Sequence, residues 1–220
     1  MFDQDLFLDL FIALFALLNP LYAIPVFLGL TSDYTGPQRQ MTAAVAALTT
    51  LIALIVAALV GYQILQLFGI HVPAFQIAGG LIVLTIALGM LKGESEEDED
   101  AKEAIKEKHA MPGKSIAVYP LAIPLLAGPG VFVTTIVFSS RVDSTGGSMG
   151  GHLGLIAAIA AVVFVLWLSM AFATTAARFL NKTAVNIGIK IVGILLAAVS
   201  VEMILTGIDA HFILDSKSPV

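Results

Sequence analysis

Apolar residues fill this chain in long runs, interrupted by polar residues at a few places. Leu10 to Thr31 is a 22-residue run without Asp, Glu, Lys or Arg, and Ser115 to Ser140 is a 26-residue run of the same kind. Between Arg39 and Lys92 no such residue occurs at all. A bilayer-crossing helix needs about 20 mostly apolar residues, whereas a soluble helix of this length shows a polar face. Six spans are predicted, at about 6–30, 42–67, 75–91, 116–139, 153–177 and 185–207. A turn from Gly69 to Pro73 joins the second span to the third, and the Gly/Ser-rich stretch 143–151 reads as an exposed loop. The charged segment 92–114 lies between the third span and the fourth. Within it, Asp98–Lys102, Glu99–Lys102 and Glu103–Lys106 have the spacing of helical ion pairs, which suits a solvated linker.

Two spans are broken at their centres. The first carries Asn19-Pro20 and the fourth carries Gly128-Pro129-Gly130. Proline removes a helix hydrogen bond and clashes with the preceding turn. In lipid each freed backbone group costs several kcal/mol unless protein or water satisfies it. Paired breaks at membrane depth therefore predict a polar site at the midplane, the arrangement used for transport. Pro20 and Pro129 suit the first position of a helix, with Asn19 and Gly128 as caps. Each second half-helix would then point N–H groups and a positive dipole end at the site, and each first half-helix would point carbonyls. Backbone alone would offer both signs, which suits a small zwitterion.

The halves resemble one another. At an offset of 114, Gly79 falls on Gly193 and Gly93 on Gly207. At an offset of 109, Asn19-Pro20 falls on Gly128-Pro129, while a rival register places Ala23-Ile-Pro25 on Ala122-Ile-Pro124. Three spans per half is an odd number, so the second half would enter from the opposite side. The expected fold is an all-α membrane protein of six helices in two inverted three-helix repeats, with helices one and four broken. Its parts are a first repeat at 1–92, a charged cytoplasmic loop at 93–114 and a second repeat at 115–220.

Composition agrees. Apolar residues are 58% of the chain and charged residues 12%, against roughly 25% charged in soluble domains. Eight Lys/Arg residues fall after spans one, three and five, and two, Arg141 and Lys217, on the other side. The positive-inside rule then puts both termini outside. The acidic start is unlike a cleaved signal, so the first span would act as its own anchor. The formal charge of −5 is local, since eight of 16 acidic residues lie between Glu94 and Glu107, and it argues against nucleic acid as a partner. Cysteine is absent. No metal-ligand spacing, nucleophile motif or phosphate loop appears, so neither an enzyme nor a cofactor is expected.

Candidate substrate contacts cluster at the breaks: Asn19, Pro20, Leu21 and Tyr22 at the first, Gly128, Pro129, Gly130, Thr134 and Thr135 at the second. Each Thr could instead bond its own helix backbone. Pro25 and Pro124 could simply kink their helices. Intramembrane ionisable residues are functional candidates, and span six has two, Lys190 and Glu202. Lys190 could instead snorkel to the interface; Glu202 could carry a coupling proton. Gln76, Gly79, Gly80 and Gly193 join them as coupling or gating candidates, although glycines there also suit close helix packing. Glycine-rich faces permit a homo-oligomer. His71 and His152 sit at span ends, and Asp9 at the outer mouth of the first span.

These residues resemble the MarC family of integral membrane proteins, which includes the SnatA-type amino-acid transporters. The resemblance is carried by Leu18-Asn-Pro-Leu21, Phe27-Leu-Gly-Leu-Thr31, Phe68-Gly-Ile70 with Pro73, Phe75-Gln-Ile-Ala-Gly-Gly80, Pro120-Leu-Ala-Ile-Pro-Leu-Leu-Ala-Gly-Pro-Gly130 and Lys190-Ile-Val-Gly193. It implies a six-span protein of a prokaryotic inner membrane and transport of small neutral amino acids such as glycine and alanine; a proton or sodium ion is a possible coupling partner, which the resemblance does not fix. The chain departs from the family where Gln76 and Lys190 stand at positions usually Arg, and where Glu202 stands at a position often Gln. A membrane scaffold or regulatory protein without substrate is the alternative; it explains the hydropathy but not two matched breaks.

Overall fold

The computed structural model describes residues 3–92, 116–144, 148–176 and 182–216. Among them all regular structure is helical. Helix α1 is Gln4–Leu18, α2 Pro20–Leu30, α3 Gly36–Leu67 and α4 Val72–Lys92. A wide-turned segment, α5, covers Ala117–Leu126 and is followed by α6, Pro129–Ser144. The remainder is α7, Met149–Ala171, the short α8, Ala173–Ala176, and α9, Lys182–Ser216. The expected linker helix and nearly all of the charged segment lie outside the described residues.

Five helical stretches are long and apolar enough to cross a bilayer: Gln4–Leu30, Gly36–Leu67, Val72–Lys92, Met149–Ala171 and Asn186–Phe212. The predicted fourth span instead divides between α5 and the 16-residue α6. The cause is local. Tyr119 and Ile123 are extended (φ −132°, ψ 130° and φ −133°, ψ 123°), and each precedes a proline, whose ring disfavours helical backbone in the residue before it. The first half of this span is therefore not the regular half-helix that symmetry with α1 suggested.

Burial follows the breaks. In the stretch holding α1 and α2, 67% of the most apolar window is buried, against 33–44% in the other four. Non-helical backbone at membrane depth must be enclosed by protein, and α1 and α2 occupy that enclosed place. They pack against α6, α7, α8 and α9. Leu10, Leu14, Phe27, Leu30, Leu121, Ile159, Leu166 and Leu196 are fully buried there. The outer faces remain apolar and open, as with Leu48, Val56, Phe164, Ile194 and Leu205. Such faces need lipid, and the chain is a multi-pass membrane protein.

Helices α4 and α9 form the most extensive pair. They run antiparallel, and glycine lets their backbones meet. A Cβ on Gly80 would stand 2.9 Å from the Ser200 carbonyl, and one on Gly193 would stand 3.3 Å from the Ala87 carbonyl. Gly207 closes on the Pro73 carbonyl in the same way, at 2.9 Å.

The expected loop at 143–151 is shorter than its composition suggests. Helix α6 runs on to Ser144, and Ser148 caps α7 by accepting from the Gly151 N–H at 3.0 Å. Gly150, Gly151 and Gly154 are buried helical residues. A Cβ on Gly154 would lie 2.9 Å from the Asp3 carbonyl at the start of α1, and one on Gly151 would lie 2.9 Å from Val142 Cγ1 of α6, so both glycines serve helix contact and not a turn.

Candidate functional site

The first break is built by one residue. Asn19 ends α1 and caps α2 at once, in left-handed backbone (φ 39°, ψ 73°). Asparagine tolerates this region better than most residues, through local hydrogen bonds of its side chain. Its N–H donates to the Phe15 carbonyl at 3.1 Å, closing α1. Its carbonyl accepts from Tyr22 and Ala23, each at 3.0 Å, and its Oδ1 accepts from the Tyr22 N–H at 3.4 Å. Pro20 starts α2, where its missing N–H costs nothing. At the second break the Gly128 carbonyl accepts from Val131 at 3.1 Å and Phe132 at 3.2 Å, and Pro129 starts α6. Both caps thus stand where the sequence placed them.

The two breaks approach each other. A Cβ on Gly130 would stand 3.2 Å from Leu17 Cδ2, 2.9 Å from Ile86 Cδ1 and 3.6 Å from Val83 Cγ2. The end of α1, the start of α6 and the middle of α4 therefore converge. Val133, a turn higher on α6, presses on Gly79 of α4. Helices α4 and α6 run antiparallel along this seam, so Thr134 and Gln76 both lie on the same side of the breaks. Thr134 is one turn beyond Gly130, about 6 Å up α6, and Gln76 is two turns from Val83, about 10 Å up α4.

Polar atoms on this seam lack protein partners. Asn19, Gln76 and Thr134 are 2%, 3% and 0% exposed. Asn19 Nδ2, Gln76 Nε2 and Thr134 Oγ1 have no hydrogen bond, and neither has Thr50 Oγ1 on α3. Leaving such a group unsatisfied costs on the order of 1–3 kcal/mol each. All three seam atoms can donate, two of them only donate, and the nearby helix N-termini add positive potential. An acceptor such as a carboxylate matches this arrangement. Thr135 behaves differently, donating back to the Val131 carbonyl at 2.8 Å.

The remaining candidates separate. Leu21 faces Gly188 of α9, and Tyr22 is buried in the core. Gly79, Gly80 and Gly193 are packing contacts between helices. Lys190 and Glu202 both lie on exposed sides of α9, away from the seam's interior.

A cavity of about 130 Å³ lies elsewhere, between α3, α6 and α7. Ile55, Gln63, Ser139, Asp143, His152 and Ile159 are among its lining residues. His152 Nε2 pairs with Asp143 Oδ1 at 3.3 Å, and Ser139 ties α6 to the Ala58 carbonyl of α3. Its lining comes from the later turns of α6, more than two turns from Pro129, so it does not belong to the breaks. Sequence reasoning did not anticipate it, nor Arg141, whose guanidinium lies 4.8 Å over the Phe138 ring. Arg141 follows Thr134 by seven residues, a helical spacing that would have linked them had the span been carried past 139.

Known proteins agree with the membrane architecture. The UPF0056 membrane protein YhcE of Escherichia coli K12 is 40% identical over 211 residues, covering 96% of this chain and 95% of its own. The UPF0056 membrane protein MJ1677 of Methanocaldococcus jannaschii is 34% identical, covering 94% and 97%. YvbG of Bacillus subtilis is 32% identical, covering 92% and 93%. No solved structure matches significantly. Residues 4–212 match the family described as MarC family integral membrane protein, and the chain belongs to that family.

Proposed function

We propose that the chain is a secondary transporter or exchanger of small neutral amino acids, such as glycine and alanine, across a prokaryotic inner membrane. The observation that carries this reading is the set of unpartnered buried groups on Asn19, Thr134 and Gln76 beside two proline-started half-helices. A substrate carboxylate accepts from these donors, and carbonyls at the ends of α1 and α5 receive its ammonium group. A membrane scaffold has no use for several kcal/mol of unmet hydrogen bonding.

Alternating access in this reading comes from two inverted repeats of three spans. The reciprocal glycine contacts support it: Gly80 of α4 meets α9 near Ser200, and Gly193, equivalent to Gly79, meets α4 near Ala87. The seam is closed where Gly130 meets Leu17, Val83 and Ile86. Helix α6 must therefore move against α1 and α4 to admit substrate, and a half-helix hinged at Gly128-Pro129 is suited to such motion. Both termini face outward, and a proton or sodium ion couples the movement.

Counterflow tests the reading. Proteoliposomes preloaded with unlabelled alanine should accumulate labelled alanine against empty controls. No flux of any small neutral amino acid would remove the substrate assignment.

A further inference from the structure

Helix α6 has two unlike sides. Gly130 and Ser139 are nine residues apart, as are Thr134 and Asp143. Nine residues make about two and a half helical turns, so the members of each pair face opposite ways. The side of Gly130 and Thr134 is shut, with Gly130 against Leu17 of α1 and Val83 and Ile86 of α4. The side of Ser139 and Asp143 lines the cavity of about 130 Å³ between α3, α6 and α7. Ile55 and Ala58 of α3 and Leu155 and Ile159 of α7 form its apolar walls. Two polar contacts hold α6 at the edges of this space. Ser139 donates to the Ala58 carbonyl of α3. His152 Nε2 of α7 pairs with Asp143 Oδ1 at 3.3 Å, and its Nδ1 lies 3.1 Å from the Ser148 carbonyl. Contact of α6 with α7 is otherwise sparse beside its contacts with α1, α3 and α4. Protein interiors leave few voids larger than a water molecule, and this one stands directly behind the half-helix that starts at Pro129.

We propose that this cavity is the space into which α6 withdraws when the seam opens, rolling over Gly61 of α3 toward α7 and carrying Thr134 away from α4. The inference rests on the transport reading and gives its moving helix a direction and a limit. Gly61 suits a rolling contact, because it meets Ile136 of α6 with no side chain of its own. One side of a helix is about 10 Å wide, and two turns are about 11 Å long. A space of about 130 Å³ behind that area admits a shift on the order of 1–2 Å, the size of helix movement found in switching transitions. Both polar contacts at its edges end in side chains of α6, which can follow such a shift by changing rotamer.

The chain has no cysteine, so a single introduced thiol reports opening. Thr134 is fully buried, and Thr134→Cys should react with a water-soluble thiol reagent only when the seam opens. Ile55→Phe fills the cavity from α3, away from the seam. It should slow labelling of Thr134→Cys about tenfold or more, the scale of an overpacking penalty placed on the open state alone. In the chain without the thiol it should slow alanine counterflow to a similar degree. Its melting temperature should hold or rise, as with other cavity-filling changes. Ile156→Phe fills the same space from its exposed rim on α7 and repeats the test if Ile55→Phe fails to fold. Slowed labelling with no flux in the unmodified chain would sink the transport reading and keep the role of the cavity. A void that is only a packing defect would let a folded variant melt higher with labelling and counterflow unchanged, and that result would overturn the proposal.

Discussion

Asn19 does three things with one side chain and one backbone conformation. It ends α1, caps α2 and leaves Nδ2 for a ligand. These can be separated. Asn19→Gly keeps the left-handed backbone and costs only a few tenths of a kcal/mol as a cap, so the protein should fold while alanine transport falls steeply. Asn19→Ala adds left-handed strain of about 1–2 kcal/mol and should also lower the melting temperature. Equal transport in Asn19→Gly and the unmodified protein would remove Nδ2 from the site. Thr134→Val is sharper still. It replaces an unpartnered buried hydroxyl by a methyl of similar shape, which is neutral or stabilising in a purely structural setting. The expected result is unchanged or higher stability with lost transport. Asn19 was legible in the sequence because an Asn-Pro pair inside an apolar run has few other uses. Thr134 and Thr135 were indistinguishable there, since both are fully buried and only the hydrogen bond of Thr135 to the Val131 carbonyl separates them.

Elements follow from proline and glycine in opposite ways. Proline placed the helix starts at α2 and α6, and both were readable from the chain. The same residue disordered the expectation for α5, because Pro120 and Pro124 act on the residues before them and turn a half-helix into an irregular segment. Glycine misled at Gly150 and Gly151, where a loop-like composition begins α7 and Gly151 closes on Val142 of α6. At Gly79, Gly80 and Gly193 the sequence offered coupling or gating beside close packing, and the structure shows tight helix contact at all three. Gly80→Leu should destabilise the α4–α9 pair by roughly 1–3 kcal/mol, since its Cβ falls 2.9 Å from the Ser200 carbonyl. Gly36→Ala, with nothing within 4 Å of its Cβ, is the control expected to melt normally. Equal melting of the two variants would show that the pair does not depend on this contact.

At the scale of the whole molecule, the broken first span lies enclosed among the others, as hydrogen-bond satisfaction in lipid demands. That much was implicit in the hydropathy and the two breaks. What the sequence could not show is the seam itself: bringing Asn19, Thr134 and Gln76 to one side needs the antiparallel pairing of α6 with α4. Orientation is checked by labelling. Ser148→Cys should react from outside intact cells and Ser32→Cys only after permeabilisation; the reverse pattern would invert the topology. The most direct measurement of the central claim is the thermal shift given by alanine to purified protein, read in parallel on the unmodified chain and on Thr134→Val. Saturation at about 100 times Kd stabilises a binding-competent fold by about 2.7 kcal/mol, so the unmodified protein should melt several degrees higher with alanine while Thr134→Val shifts little. An equal shift in both, or none in the unmodified protein, would contradict a zwitterion site on this seam.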